Sequence, residues 1–368
     1  REAYEKLRFG KANGELNKTQ LHMLMIFAFM NPSVNALMYL VVAVILLVGS
    51  YEASGGQATP GTIMAAITYT TQLLNGILML AMLFQNISKG IVSWKRVKEI
   101  LSSKPDIVDG AFDGQTKVTG EIEFRNVSFA YPGSSRIVLD DISFAVHKGE
   151  TVAIMGATGC GKTTLVNLIP RFYDVLKGSV AVDGVDVREY GQQALRQKIA
   201  FVLQKSELFG VSIKENILWG SEHAKEDEVR AAAAIAQADQ FISSSSNGYD
   251  TAVAERGMSL SGGQKQRISI SRAVLKNAEI LVFDDSTSAL DLKTEADFYS
   301  ALKESSPAST KIIVAQRVAS IRTADRILVL EKGRIAASGT HEELLSSCQL
   351  YQDICHSQNG KEAKSNGQ

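Results

Sequence analysis

Charged residues are absent from two long stretches near the start of the sequence. The 368-residue chain carries 39 Lys and Arg and 39 Asp and Glu, but none lies between Lys18 and Glu52 or between Glu52 and Lys89. Runs of this length exclude an ordinary half-exposed surface helix, because about 20 apolar residues already span the roughly 30 Å core of a lipid bilayer. The absence predicts two membrane-spanning helices, at about 21–49 and 61–84.

The formal net charge of the chain is zero, and it contains only three cysteines. Positive and negative charges cancel, which excludes the basic bias of a nucleic-acid-binding chain, so no nucleic-acid partner is expected. The three cysteines show no metal-ligand spacing and follow the apolar runs, so we interpret them as reduced thiols. The sequence starts without an initiator Met or a signal peptide, and we expect it to be part of a longer protein.

The two apolar runs predict a hairpin whose ends both lie at the cytoplasmic face of the cell membrane. The segment 50–60 contains two glycines and a proline but no Lys or Arg, and it is predicted to be a short turn. The flanking basic residues are Arg8, Lys11, Lys18, Lys89, Lys95, Arg96 and Lys98. By the positive-inside rule both ends are cytoplasmic. Asn31-Pro32 predicts a kink or boundary in the first span.

Two alternatives stay open for this part of the chain. A helical hairpin buried in a soluble protein would need a very large core to hide two charge-free runs. Polar residues at helical spacing in the second run either line a solute pathway or hydrogen-bond to other membrane helices. These residues are Thr68, Thr71, Gln72 and Asn75.

Beyond residue 120 the pattern becomes that of an α/β domain with a phosphate-binding loop. The β-rich run 151–155 leads into a segment that matches G-x-x-x-x-G-K-[ST] and is followed by the apolar run 165–169. The segment is Gly156, Ala157, Thr158, Gly159, Cys160, Gly161, Lys162 and Thr163. Glycines let the backbone wrap a phosphate chain, Lys162 would contact the β- and γ-phosphates, and the Thr163 hydroxyl would bind Mg²⁺.

A second strand predicts the acidic side of the same site. The apolar run 280–283 ends in Asp284 and Asp285. A nucleotide-hydrolysing core needs an acidic strand end beside its phosphate loop, so the Asp284 carboxylate is predicted to help hold Mg²⁺. Another run, 311–315, leads to Gln316 and Arg317.

Leu260-Ser261-Gly262-Gly263-Gln264 resembles the signature sequence of the ATP-binding-cassette family. Tyr131 stands where that family stacks an aromatic ring on adenine, Gln204 stands in its Q-loop, and residues 288–291 match its D-loop. The resemblance is to a half-transporter of the multidrug or lipid exporter type. It implies that residues 1–100 are the last two transmembrane helices, 101–117 a linker, 118–355 the nucleotide-binding domain and 356–368 a polar tail.

The implied fold is an α-helical membrane hairpin joined to an α/β P-loop NTPase, or cassette ATPase, domain with a helical signature subdomain. By the resemblance ATP and Mg²⁺ are the cofactors. The implied nucleotide-binding residues are Tyr131, the loop 156–163, Thr164 and Gln204. The implied metal ligands are Thr163, Gln204 and Asp284. The signature residues Ser261, Gly262, Gly263 and Gln264 would act on the ATP of a partner subunit. Earlier helices and both coupling helices would be missing, so this chain alone is not expected to transport.

The sequence departs from the family at two positions tied to hydrolysis. In the family a catalytic glutamate follows the metal-binding aspartate, which is Asp284 here. This chain has Asp285 at that position, and its side chain is one methylene shorter. The switch histidine is replaced by Gln316, which cannot carry a proton or a charge. We expect a site that binds ATP and turns it over slowly.

In this family each site pairs the P-loop of one domain with the signature of the other, so the two halves of this chain serve different sites. The expected partner is a second exporter subunit that supplies the missing catalytic groups in a heterodimer. The alternative is a homodimer in which Asp285 is a weaker base.

Three other classes fit less well. A soluble cassette ATPase of DNA repair or translation needs no membrane spans, and a non-hydrolysing sensor has no use for an intact signature. Importers usually carry their two kinds of domain on separate chains. The transported solute stays open, with small or amphipathic drug-like or lipid-like molecules favoured.

Overall fold

The computed structural model describes residues 2–365, with only the backbone for residues 27, 31, 81, 85 and 359–365. It divides into two compact units, residues 1–105 and 106–368. The division lies inside the predicted linker 101–117, and the later part of that segment packs on the second unit, where the Gly110 and Phe112 amides donate to carbonyl oxygens of Tyr190 and Glu189.

The first unit is a hairpin of two long helices, α1 (Glu2–Ser54) and α2 (Pro60–Leu101). Both are long and apolar enough to cross a membrane, and their apolar side chains are largely exposed. At Gly49 a Cβ would stand 2.9 Å from the Ile63 side chain, so the missing side chain allows the helices to approach closely. Thr59 and Thr62 cap α2 reciprocally, and Pro60 occupies its first turn.

Three details of the predicted hairpin are corrected. The helices extend beyond 21–49 and 61–84, because helical hydrogen bonding continues into the polar flanks that lie outside the apolar runs. The turn is confined to residues 55–59. No boundary occurs at Pro32: α1 continues through it, and the Ser33 hydroxyl donates to the Phe29 carbonyl oxygen in that turn.

The second unit is an α/β domain with two sheets. Its strands are β1 (Ile122–Phe129), β2 (Leu139–Val146), β3 (Thr151–Gly156), β4 (Lys177–Val182), β5 (Val185–Asp186), β6 (Ile199–Val202), β7 (Ile280–Asp284), β8 (Thr310–Val314), β9 (Arg326–Glu331) and β10 (Arg334–Gly339). An antiparallel sheet has the order β2-β1-β4-β5, and the larger sheet has the order β10-β9-β3-β8-β7-β6. In the larger sheet β9, β3, β8, β7 and β6 are parallel, so their carboxyl ends share one edge.

Helices lie between and after these strands in chain order. They are α3 (Lys162–Asn167), α4 (Gln192–Lys198), α5 (Ile213–Leu218), α6 (Glu226–Ile235), α7 (Asp239–Ser243), α8 (Gly262–Leu275), α9 (Leu292–Ser305), α10 (Val318–Ile321), α11 (His341–Ser347) and α12 (Gln349–Ser365). Strand β3 is buried on both faces, with Ile154 in one hydrophobic cluster and Met155 in the other. The predicted α/β fold and helical signature subdomain are confirmed.

Residues 356–365 of the predicted polar tail are helical and continue α12, whose buried side chains Tyr351 and Cys355 lie one turn apart. Residues 366–368 lie outside the described part of the chain.

Candidate functional site

A cleft of about 780 Å³ opens at the carboxyl edge of the larger sheet. Neighbouring strands β3, β8, β7 and β6 deliver the P-loop, Gln316, the two aspartates and Gln204 to this edge. The predicted residues that line the cleft are Tyr131, Ala157, Thr158, Gly159, Cys160, Gly161, Lys162, Thr163, Thr164, Gln204, Asp284, Asp285 and Gln316. Residues from distant parts of the sequence thus meet in one cleft.

The P-loop depends on glycine at its two ends. Gly156 and Gly161 have φ angles of +155° and +106°. A Cβ at Gly156 would lie 2.2 Å from the Leu330 carbonyl oxygen, and one at Gly161 would lie 2.9 Å from Leu139 Cδ2. Any larger residue would push the loop away from β9 and β2.

Lys162 lies over the loop that it follows. Its Nζ donates to the carbonyl oxygens of Gly156 at 2.8 Å and Ala157 at 3.0 Å. The ammonium group is therefore inside the cleft, where it can pair with a phosphate oxygen. Cys160 is buried in the same loop, so it contributes packing there.

Thr163 and Asp284 form an oxygen-rich corner beside the P-loop. The Thr163 hydroxyl donates to Asp284 Oδ1 at 3.0 Å, and Asp284 is only 1% exposed. Burial raises the pKa of Asp284, and the neighbouring Asp285 adds to this, while the Thr163 hydrogen bond and Lys162 oppose it. A hydroxyl and a buried carboxylate are hard oxygen ligands, which fit Mg²⁺.

Asp285 is held by two side-chain amides. Its Oδ2 accepts from Gln204 Nε2 at 3.0 Å and from Gln316 Nε2 at 2.8 Å. Its backbone has a φ of +48° and donates to the Val314 carbonyl oxygen at 2.9 Å. With 7% of its surface exposed, Asp285 is fixed at the strand end rather than free to reach outward.

Tyr131 is fixed beside α3, the helix that follows the P-loop. Its hydroxyl lies 2.9 Å from Thr164 Oγ1, and its ring packs edge-on against Phe129 and Tyr173, with ring centroids 5.0 and 5.2 Å away. These contacts place an aromatic ring on the wall of the cleft, where it can stack on a planar base.

The signature residues begin α8, and none of residues 261–264 is among the described residues that line the cleft. Ser261 caps the helix by accepting from the Gln264 amide, and Gln264 Oε1 accepts from the Ser261 amide in return. Gly263 has no room for a side chain, because a Cβ would stand 2.9 Å from the Ala289 carbonyl oxygen. This helix start, which is exposed at Ser261 and Gly262, is therefore separate from the lining of the chain's own cleft.

Several residues around the cleft are not predicted by any motif in the sequence. Arg136 and Lys332 also line it, the first a few residues after Tyr131 and the second in the β9–β10 turn. The Lys332-Gly333 pair signals a turn in the sequence, but only the fold brings that turn to the cleft. Arg317 donates to the Ser288 and Leu290 carbonyl oxygens and so connects the residue after Gln316 to the D-loop, residues 288–291.

Comparisons with known proteins match both units. The family model described as ABC transporter matches residues 139–288, and the one described as ABC transporter transmembrane region matches residues 1–77. The structure of a bacterial Atm1-family ABC exporter with ATP bound is similar, with a TM-score of 0.85 and 34% identity, covering 97% of this chain and 63% of that one.

Curated relatives extend the same likeness. The uncharacterized ABC transporter ATP-binding protein YfiB of Bacillus subtilis (strain 168) is 41% identical over 98% of this chain and 63% of its own length. An ATP-dependent lipid A-core flippase of Syntrophus aciditrophicus (strain SB) is 41% identical over 94% of this chain and 57% of its own length. The chain thus spans about three fifths of these relatives. With a transmembrane hairpin followed by a cytoplasmic ATP-binding domain, it belongs to the ABC transporter family.

Proposed function

We propose that this chain is the ATP-binding part of an exporter subunit whose own site binds ATP firmly and cleaves it slowly. The observation that carries the proposal is the convergence of Gln204 and Gln316 on one oxygen of Asp285. Tyr131, Lys162 and Thr163, which are proposed to hold the nucleotide and its metal ion, line the cleft, whereas the two positions that would drive hydrolysis carry a shorter acid and a neutral amide.

The binding role rests on residues that already lie in suitable places. Tyr131 would stack on adenine, and the P-loop amides and Lys162 would hold the phosphates. Thr163, Asp284 and the Gln204 side-chain oxygen would hold Mg²⁺, which would offset phosphate charge when bound. Burial of Asp284 suits this role, because a desolvated carboxylate gains most from a nearby cation.

The slow cleavage of ATP is expected from the geometry of Asp285. A general base has to stand within hydrogen-bond reach of the attacking water. The Asp285 carboxylate is one methylene short of a glutamate, and both amides hold Oδ2 inside the strand edge. Gln316 adds a hydrogen-bond donor but has no proton to exchange and no charge to offer a developing phosphate. A displacement of about 1 Å can reduce a rate about a hundredfold.

The signature residues would act on another subunit. The start of α8 is exposed at Ser261 and Gly262, and residues 261–264 do not line the chain's own cleft, which supports a role at the ATP of a partner. A partner with a glutamate and a histidine at the two altered positions would make a heterodimer with one slow and one fast site. We further assign residues 118–355 to the nucleotide-binding domain and 101–117 to its linker.

The transported solute is proposed to be amphipathic and lipid-like. One relative is named as a lipid A-core flippase, and α2 carries no Asp, Glu, Lys or Arg before Lys89, so its membrane-spanning part offers no charge to a solute. The Thr68 and Thr71 hydroxyls donate to carbonyl oxygens of their own helix, which leaves Gln72 and Asn75 as the polar groups for a pathway or for neighbouring helices.

The test is the chemical state of bound nucleotide. The full chain in detergent micelles is loaded with Mg²⁺ and ATP, freed of excess nucleotide, and sampled over an hour. The proposal expects ATP to remain the main bound species. Rapid accumulation of ADP would instead show that Asp285 is a competent base, and a homodimer with two working sites would then be the better account.

A further inference from the structure

The last helix, α12, reaches the switch residue through the side chain of Gln358. Gln358 Nε2 donates to the Gln316 carbonyl oxygen at 2.6 Å, and Gln358 Oε1 accepts from the Val318 amide at 2.8 Å. One carboxamide therefore satisfies a backbone acceptor and a backbone donor two residues apart, as a neighbouring strand would. We name this pair of hydrogen bonds the α12 clasp.

The orientation of Gln358 is set by the core. Tyr351 and Cys355 are 0% and 7% exposed and belong to the hydrophobic cluster that also holds Ile321 of α10. Residues 351, 355 and 358 are spaced four and three apart, so they lie on one face of the helix. Burial of the first two side chains directs the third toward the segment that follows β8.

The clasp acts on the part of the chain that holds Asp285. The Gln316 side chain donates to Asp285, while its main chain lies just beyond the end of β8. The next residue, Arg317, is connected to the D-loop by its own side chain. The clasp fixes residues 316 and 318 on either side of it. The side chain at position 316 therefore depends on α12 for its place in the cleft.

We propose that Gln358 is a positioning residue for position 316 of the nucleotide site, so that this side chain influences the rate of ATP cleavage without itself lining the cleft. This role rests on the proposed function, because the reaction whose rate Gln358 would influence is ATP cleavage at the chain's own site. Both hydrogen bonds go to backbone atoms, so the clasp holds whichever side chain occupies position 316, including a histidine. The role of Gln358 can therefore be tested separately from the slow cleavage attributed to Asp285 and Gln316.

The test compares Gln358→Met with Gln352→Met in the full chain, in both the unaltered background and the Asp285→Glu plus Gln316→His background. Met keeps the length of Gln without its hydrogen bonds. Gln352 lies on the same helix, and its amide donates to the Leu345 carbonyl oxygen, so its variant controls for loss of one such bond. Hydrogen exchange of residues 316–321, ATP affinity and single-turnover cleavage are measured for each.

Gln358→Met should speed hydrogen exchange in 316–321 and slow cleavage in the double-variant background about tenfold, since small misplacements of reacting groups carry large rate costs. ATP affinity should change less than twofold, because Gln358 does not line the cleft. Gln352→Met should alter neither exchange in this segment nor cleavage.

Unchanged exchange and an unchanged cleavage rate in Gln358→Met would overturn the clasp, whatever the rate of the unaltered protein. Equal slowing in both glutamine variants would also overturn it, because the effect would then reflect loss of helix packing. Fast cleavage by the unaltered chain with a tenfold loss in Gln358→Met would keep the clasp and reject the slow site.

Discussion

The phosphate-holding and water-activating parts of the cleft are built from the same sheet edge but are held in different ways. Lys162 and Thr163 are fixed by the P-loop and by Asp284, and their residue types match what nucleotide binding requires. Asp285 accepts hydrogen bonds from Gln316 and Gln204, and the residue types at 285 and 316 depart from those that drive hydrolysis.

The difference shows that binding and cleavage are separable in this fold. The phosphate-holding part uses backbone amides and a glycine-dependent loop, which tolerate little change. The water-activating part consists of side chains at strand ends, where one substitution alters reach or charge while the strands stay in register. A site of this kind can lose cleavage and retain its ligand.

The largest effect is expected in the phosphate-holding part. Lys162→Ala should weaken ATP binding about 10- to 100-fold, because a hydrogen bond to a charged group contributes about 1.5–3 kcal/mol and 1.4 kcal/mol corresponds to a factor of ten. Lys148→Ala is the control, since Lys148 is exposed and donates to Thr119 Oγ1 outside the cleft. Calorimetric titration measures both, and equal affinities would break the comparison.

The next effect concerns the aromatic wall. Tyr131→Leu should weaken ATP binding about tenfold, because stacking on a base contributes about 1–3 kcal/mol. Tyr131→Phe keeps the ring and loses only the hydroxyl contact with Thr164, so a change of less than about threefold is expected. If both variants bind equally poorly, the hydroxyl rather than the ring carries the interaction.

A stability effect should follow from the buried carboxyl group of Asp284. Its pKa is raised by burial, so folding disfavours the charged form, and its contribution to the free energy of unfolding falls as pH rises through its titration. Asp284→Asn should raise the melting temperature by a few degrees at pH 8, with EDTA and without nucleotide, and the gain should shrink toward pH 5.

The control for that measurement is Asp297→Asn, which changes an exposed carboxyl group on α9. It should leave the melting temperature nearly unchanged at both pH values. A lower melting temperature for Asp284→Asn at pH 8 would show that the hydrogen bond from Thr163 outweighs the desolvation of the charge.

The smallest effect is expected at the signature. Ser261→Ala removes the cap of α8, which costs about 1 kcal/mol of stability, but it should change ATP affinity of the single chain less than twofold. Titration with ATP at a temperature well below melting measures this. A fivefold loss would place Ser261 at the chain's own site.

The local motifs could be predicted from sequence because each one is contiguous. The strand, glycine spacing and lysine of 151–163 specify their own conformation, and the charge-free runs specify helices. The contacts of Arg136, Lys332 and Gln358 could not be predicted, since they depend on which turn or helix the fold brings to the sheet edge. The helix ends were also missed, because polar flanks carry no signal for where hydrogen bonding stops.

The most direct measurement is single-turnover ATP cleavage by the full chain in detergent micelles, compared with its Asp285→Glu plus Gln316→His variant. We predict that the unaltered chain binds ATP but cleaves it far more slowly than about 1 per second, an ordinary enzyme rate. The double variant should cleave about a hundredfold faster. Ordinary cleavage by the unaltered chain, with no gain in the variant, would contradict the separation of binding from cleavage.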